Sequence, residues 1–362
     1  MKTSKHIALL AGIALAVLAL PGYGQFNVVN TKLTPPGPPQ NDVMKTLDMT
    51  EPRTPIGTNT TPGVQSSTTY EILRPGSYYL TENLMGTPPE TGLVVYASNV
   101  TLDLNGFGLI GSTNSSPNNA AGILVAKGAN FVTIQNGSVS LWQDGIISLA
   151  TNLVVKNLQV HHNSFDGLRA GKWTDVSDST FYFNLADGVE LAGYSRVSGV
   201  LAFTNNYGIV VGPGSLVQDC VTYWNINHGI RLTGPGSRVS SCVAYNNNVG
   251  ISVDADRCTV VGNTCTANRA EGIACGNLGS TFYQYCTVDG NHVAGNAQRG
   301  IIVTGSDNLI IRNVAYDNPT AYFVSPSNQV GTVVTAIDAT GFAGSSGGNL
   351  DSTIGPWANF AR

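Results

Sequence analysis

The sequence has 362 residues, only 11% of them charged, a formal net charge of −4 and 42 glycines. So sparse and slightly acidic a charge argues against a nucleic-acid partner. So much Gly with so little Glu and Lys argues against a helical protein.

The chain opens with Lys2, Lys5 and His6, then an apolar run over residues 7–20 and small residues at Gly22 and Gly24. This pattern reads as a signal peptide, residues 1–24. The run falls short of the roughly 20 residues of a membrane span. The expectation is a mature chain with no membrane span that is secreted, extracellular or periplasmic, or held at the cell surface. Losing Lys2 and Lys5 takes the net charge from −4 to −6. Residues 25–69 read as an extension and N-terminal cap, with 30–40 (NTKLTPPGPPQ) as linker and 41–49 (NDVMKTLDM) as a short capping helix.

From residue 70 a period of about 21 residues sets in, the mark of a solenoid. A Gly followed by an aliphatic residue recurs from Gly92-Leu93 to Gly300-Ile301, and from Gly122 to Gly272 the intervals are 23, 22, 21, 20, 21, 21 and 22. Two wider gaps hold insertions at 111–119 and 276–284. Asn stands four residues before the Gly at Asn163, Asn184, Asn225, Asn246, Asn268 and Asn296, with Thr204 interrupting beside Asn205. A second row, Asn136, Asn157, Asp178, Gly199, Asp219, Ser241, Gly262 and Gly290, holds residue types that suit turns, some at left-handed backbone angles. Between the rows lie short alternating segments such as LVVKNLQV, which read as strands. The fold expected is all-β: a right-handed parallel β-helix of about ten coils over residues 70–325, capped at its N-terminus and closed by a tail, 326–362.

The N-x-x-x-G-I rows, the segment YEILRPGSYYLTENL (70–84) and the following NVTLDLNGFGLIG (99–111) resemble β-helix proteins of the pectate lyase-like class. EPRTPI (51–56) and PWANF (356–360) resemble a group of exported bacterial β-helix proteins. The resemblance covers about residues 50–360 and implies the fold. It leaves the activity open among lyases, hydrolases, epimerases and non-catalytic binders.

Candidate chemistry follows from offsets to the marker Gly. The residue before it runs Asp144, Asp166, Asp187, Tyr207, His228, and the residue two after it runs Ile147, Arg169, Glu190, Val210, Arg231. This gathers Asp166, Arg169, Asp187 and Glu190 as candidate catalytic residues. As acid and base or nucleophile the carboxylates would serve a glycosidase. Alternatively Asp144, Asp166 and Asp187 would hold Ca²⁺, and Arg169, Lys172 or Arg231 would take the proton in a polyuronate lyase. Asp before Gly is also an ordinary turn residue, and Arg169 with Glu190 an ordinary cross-coil ion pair.

An aromatic row runs His162, Phe183, Phe203, Trp224, Tyr245 five residues before the Gly, beside His161, Tyr182, Ala202, Tyr223 and Ala244 at six. With Trp173, His228 and Arg231, the residues His162, Trp224 and Tyr245 are the candidate substrate contacts, as faces on which sugar rings stack. Adjacent strand residues point to opposite faces, so His161 and His162 are not expected to share an ion. The cysteines pair by register, Cys220 with Cys242 and Cys258 with Cys286, as disulfides or as buried thiols; Cys265 and Cys275 are left over. No phosphate loop, zinc signature or nucleophile elbow is present. The function expected is a monomeric exported protein acting on a polysaccharide or glycan, as a polysaccharide lyase or glycosidase. The alternative is a non-catalytic glycan-binding scaffold.

Overall fold

A computed structural model describes residues 53–57, 68–86, 90–112, 120–276, 282–338, 341–345 and 356–361. The expected signal peptide, the expected capping helix over 41–49 and most of both insertions lie outside these residues. By internal contacts the chain divides into Met1–Thr46, none of it described, and Leu47–Arg362. No helix among the described residues is long and apolar enough to cross a membrane.

The described residues of Leu47–Arg362 wind as a parallel β-solenoid with three faces, ending in one antiparallel pair, Val333–Asp338 with Gly341–Ser345. The first face is a single parallel sheet of 12 strands, among them Asp144–Ser148, Leu168–Ala170, Asp187–Leu191 and His228–Leu232. The second face stacks strands such as Asp175–Ser177 on Arg196–Ser198, and the third stacks Thr180–Tyr182 on Leu201–Phe203. In the early coils the second and third faces are one continuous strand, Val132–Ser140 and then Leu153–His161. The fold has about 12 turns rather than ten, because the outermost rungs, Thr68–Ile72 and Thr320–Val324, carry Thr69 and Ala321 in place of the marker Gly.

The marker Gly has a packing cause. A Cβ on Gly188 would meet the carbonyl of Gly208 at 2.6 Å and the Asn205 amide at 2.9 Å. The Gly thus lets each rung close on the next. Ala321 sits in the last rung of this sheet, with no following strand to approach.

Each corner is built the same way: one residue at left-handed φ, then one buried side chain. At the corner from third to first face, His162, Phe183, Thr204, Trp224, Asn246 and Ala267 have φ between 53° and 56°. The next residues, Asn163, Asn184, Asn205, Asn225, Asn247 and Asn268, turn inward and are buried. Each Asn accepts from the backbone N–H of its predecessor's coil, as Asn205 does from Asn184 at 3.1 Å. Its amide donates onward, as Asn184 does to Asn205 Oδ1 at 3.0 Å. Asn246 is therefore not a ladder residue. Asn247 takes that role, because the ladder follows the left-handed residue rather than a fixed distance from the Gly.

The second turn row is left-handed throughout, from Asn136 at 60° to Gly290 at 63°. Behind it lies the inward column Ser179, Val200, Cys220, Cys242, Asn263, Asn291 and Asn313, which the C-terminal Asn359 continues. The third corner carries Thr174, Ser195, Ser215, Ser237, Cys258, Cys286 and Asn308. Cys220, Cys242, Cys258 and Cys286 are thus corner residues, Cys265 and Cys275 lie within strands, and all six are free and buried thiols. The register pairs Cys220–Cys242 and Cys258–Cys286 do stack but form no disulfide. The Cys258 N–H donates to Cys286 Sγ at 3.4 Å, the task Ser and Asn perform elsewhere in the column.

The core is a bundle of straight apolar columns. Val155, Val176, Val197, Val217, Val239, Val260 and Val288 stack along the second face at 0% exposure. Each such burial is worth about 2 kcal/mol before entropy is counted. Strands leave their outward side chains in equally straight rows, and these rows position the candidate site.

Candidate functional site

The first face presents two outward rows. At its leading edge Asp144, Asp166, Asp187, Tyr207 and His228 follow one another, and inside it Arg169 stands in register with Glu190. Asp144 and Asp166 are almost fully buried. Their Oδ1 atoms cap the next coil: Asp166 N–H donates to Asp144 at 3.3 Å and Asp187 N–H to Asp166 at 3.0 Å. The turn-residue role of these aspartates is therefore real, but it occupies one oxygen only. Asp166 Oδ2 is buried and has no hydrogen-bond partner.

Carboxylate oxygens of Asp166, Asp187 and Glu190 lie within 4.8 Å of one another. Arg169 leans away from Glu190, with Nε 3.7 Å from Asp166 and Nη2 3.9 Å from Asp144. Burial, reinforced by Asp144 and Glu190, pushes the Asp166 carboxyl up to about 6 against the pull of the Asp187 N–H and Arg169. Burial, with Asp166 and Glu190, pushes Asp187 up to about 7 against Arg231. Asp144 is raised too, by burial, with Arg169 opposing. Near neutral pH the cluster therefore holds a proton among several carboxylates, the condition for acid and base at one place.

Three oxygens this close also suit a cation bound at roughly 2.3–2.6 Å from oxygen, and Asp166 Oδ2, which lacks a hydrogen bond and has only Arg169 Nε at 3.7 Å, is the atom a cation would satisfy. The set that converges is Asp166, Asp187 and Glu190; Asp144 stands one coil back, against Arg169.

The aromatic row separates into two columns. His161, Tyr182, Phe203, Tyr223 and Tyr245 stack along the outer third face, with Tyr182–Phe203 at 5.0 Å and 8° and Phe203–Tyr223 at 4.7 Å and 3°. His162, Phe183 and Trp224 form the second column at the corner, where left-handed φ throws them outward. That same turn brings His162 Nδ1 to 2.8 Å from His161 Nδ1. The strand alternation that would separate the two rings ends at His161. Phe183 and Trp224 are exposed, so the corner between third and first faces is an aromatic rim beside the acid row.

Trp173 is elsewhere. It lies at the corner from first to second face, tilted against Tyr194 at 6.4 Å, so the first face is edged by aromatics on both sides. His228 packs edge-on to Tyr207 at 5.3 Å, and Arg231 is held by Asp254 at 2.6 Å. Trp142 is interior: its indole N–H donates to Leu109 O, and it fills the corner column one coil before Asn163. Asp254, which anchors Arg231, was not singled out in the sequence. It lies after its strand, where no row offset reaches.

Corners of a left-handed residue and a buried polar one, repeated around a three-faced parallel coil, define a right-handed parallel β-helix protein. The family profile described as "Right handed beta helix region" matches residues 171–339. The resemblance to the pectate lyase-like class thus holds for the fold. Among solved structures, the A-module of the mannuronan C-5 epimerase AlgE4 of Azotobacter vinelandii is similar at 15% identity and TM-score 0.59, over 69% of this chain and 87% of that one. The Dettilon tailspike protein is similar at 16% identity and TM-score 0.58, over 74% of this chain and 64% of that one. A double mutant of the periplasmic alginate epimerase AlgG is similar at 13% identity and TM-score 0.55, over 75% and 80%. No curated protein matches the sequence. Identities this low carry the fold alone.

Proposed function

We propose that the chain is an exported carbohydrate-active enzyme that hydrolyses a polysaccharide, with Asp187 as general acid and Asp166 as nucleophile or base. The observation that carries this is the pair of neighbouring carboxyls raised to about 6 and about 7. Asp187 keeps a proton for the leaving glycosidic oxygen, while Asp166 is mostly ionised. Oxygens within 4.8 Å leave little room for the water that an inverting pair holds between carboxyls roughly 6.5–9.5 Å apart, and lie nearer the roughly 5–5.5 Å of a retaining pair. Elimination with Arg169 as base is disfavoured, since Asp144 and Asp166 already engage its guanidinium. A cation at Asp166, Asp187 and Glu190 would lower both pKa values and abolish the acid, so added Ca²⁺ should inhibit hydrolysis. Two of the similar folds are named as epimerases of alginate or mannuronan, which supports a glycan substrate. The basic and apolar opening of the chain supports export.

The test is mature protein, residues 25–362, on a polysaccharide panel with and without Ca²⁺, following reducing ends and unsaturated-product absorbance together. Reducing ends without the absorbance, falling by roughly a hundredfold or more in Asp187→Asn, support hydrolysis. Unsaturated product points to elimination instead. Binding without any product supports the second reading, a non-catalytic glycan-binding scaffold, which the exposed Phe183 and Trp224 at the aromatic rim favour.

A further inference from the structure

Beyond the acid cluster, the first face changes character. Four outward side chains, Val249, Ala270, Ala274 and Ile302, form an apolar cluster of their own at 3–9% exposure. Three of them, Val249, Ala274 and Ile302, floor a cleft of about 300 Å³ whose walls include His228, Arg231, Asp254 and Glu271, near the lower bound for a small-ligand pocket.

The walls are charged but balanced. Asp254 holds Arg231 at 2.6 Å and accepts from Ser252 Oγ at 3.0 Å. Glu271 holds Arg299 at 2.9 Å. Both arginines are thus committed, while each carboxylate retains lone pairs for further donors. His228 has its Nδ1 buried without a partner, so its remaining polar capacity is Nε2. An apolar floor ringed by acceptors and one imidazole, with no unpaired cation among the described lining residues, matches a ring with an apolar C–H face and hydroxyls at its edge.

We infer that this cleft is a binding subsite for one neutral sugar ring, and that it selects hydroxylated over carboxylated sugars. Register places it on the row of the acid cluster. His228 follows Tyr207, which follows Asp187, and Val249 pairs with His228. At roughly 4.8 Å per coil the floor begins about 14 Å along the axis from Asp187. A glycan lying parallel to that axis reaches both. As part of a catalytic groove the subsite rests on the hydrolase reading; capture of the ring needs no catalysis.

The experiment uses the mature chain and an Asp187→Asn variant with saturation-transfer NMR. Glucose, galactose and mannose are the neutral probes, glucuronate and galacturonate the acidic ones, each with and without Ser252→Trp, which fills the cleft from its outward row. Unchanged melting temperature certifies that Ser252→Trp folds, and His228→Ala serves as the milder second variant. The expected result is a neutral-sugar signal in both parent proteins, weakened about fivefold by His228→Ala, as for one lost hydrogen bond, and abolished by Ser252→Trp. Equal or stronger uronate signals, no sugar signal, or a signal indifferent to both substitutions would overturn the inference. Capture that persists in a protein inactive on every polysaccharide would sink the hydrolase reading and leave the subsite standing; activity without capture would do the reverse.

Discussion

The backbone N–H of Asp187 donates to Oδ1 of Asp166, 3.0 Å away in the preceding coil. One bond of the stack thereby ties the Asp166 carboxyl to the backbone of the residue that carries the second carboxyl assigned to the chemistry. The same Asp166 side chain secures the coil with one oxygen and leaves the other, Oδ2, buried with no hydrogen bond, 3.7 Å from Arg169 Nε. The solenoid bears such a cost at only a few places, the others among the described residues being Thr222 Oγ1, His228 Nδ1 and Thr304 Oγ1.

That cost sets a pH dependence. Asp166 and Asp187 have folded pKa values near 6 and 7, above the ordinary carboxylate value of about 3.9. The folded state then binds more protons than the unfolded one between about pH 4 and 7, so stability falls as pH rises through that window. Asp187→Asn should raise stability at pH 7.5 by on the order of 1–2 kcal/mol, after discounting for partial solvent exposure, and by almost nothing at pH 3.5. Melting curves at both pH values check this. A gain of equal size at pH 3.5 would refute the ionisation argument.

Arg169 is the cation that restrains Asp166. Arg169→Gln should therefore lift the carboxyl further and move the acidic limb of the pH–activity profile upward by about half a unit or more. A profile that keeps its limbs while dropping in height would instead mark Arg169 as a substrate contact.

Asn225 sits mid-ladder, donating to Ala202 O at 3.1 Å and Asn247 Oδ1 at 2.8 Å while accepting from the Asn205 N–H at 3.0 Å. Asn225→Ala strands buried partners on both sides and should cost about 3 kcal/mol in denaturant unfolding. Asn246→Ala, at the neighbouring left-handed and non-ladder position, should cost less than half as much. Equal losses would contradict the corner rule.

The cysteines divide by location. Cys258 follows Ser237 in its corner column and bonds backbone carbonyls, so Cys258→Ser should cost under about 1 kcal/mol. Cys265 faces the core between Ala244 and Val293, and Cys265→Ser should cost about 2–3 kcal/mol. With all six thiols free and buried, reductant should leave the melting temperature unchanged, and a thiol reagent should count six only after denaturation.

Gly188→Ala places a Cβ 2.6 Å from the Gly208 carbonyl. A loss of about 2–3 kcal/mol is expected, against little at Ala321, where no further strand follows.

Much of this protein was legible in its sequence, because a solenoid repeats local rules. The left-handed row from Asn136 to Gly290 and the alternating strands report backbone geometry decided within one coil, and the Gly row reports the same close approach repeated from each rung to the next. They yielded the fold class, the register of Asp166 with Asp187, and the gathering of Asp166, Arg169 and Glu190. What depended on the tertiary structure was how neighbouring side chains settle between coils. A shift of one residue at the corners exchanges Asn246 for Asn247 and splits one aromatic row into two columns. Arg169 had several carboxylates in reach and turned to Asp144 and Asp166. The apolar cleft over Val249 and Ile302 and the anchoring of Arg231 by Asp254 arise from coils and turns meeting in space. Row offsets locate where a side chain starts; burial, charge and the neighbouring coil decide where its tip comes to rest.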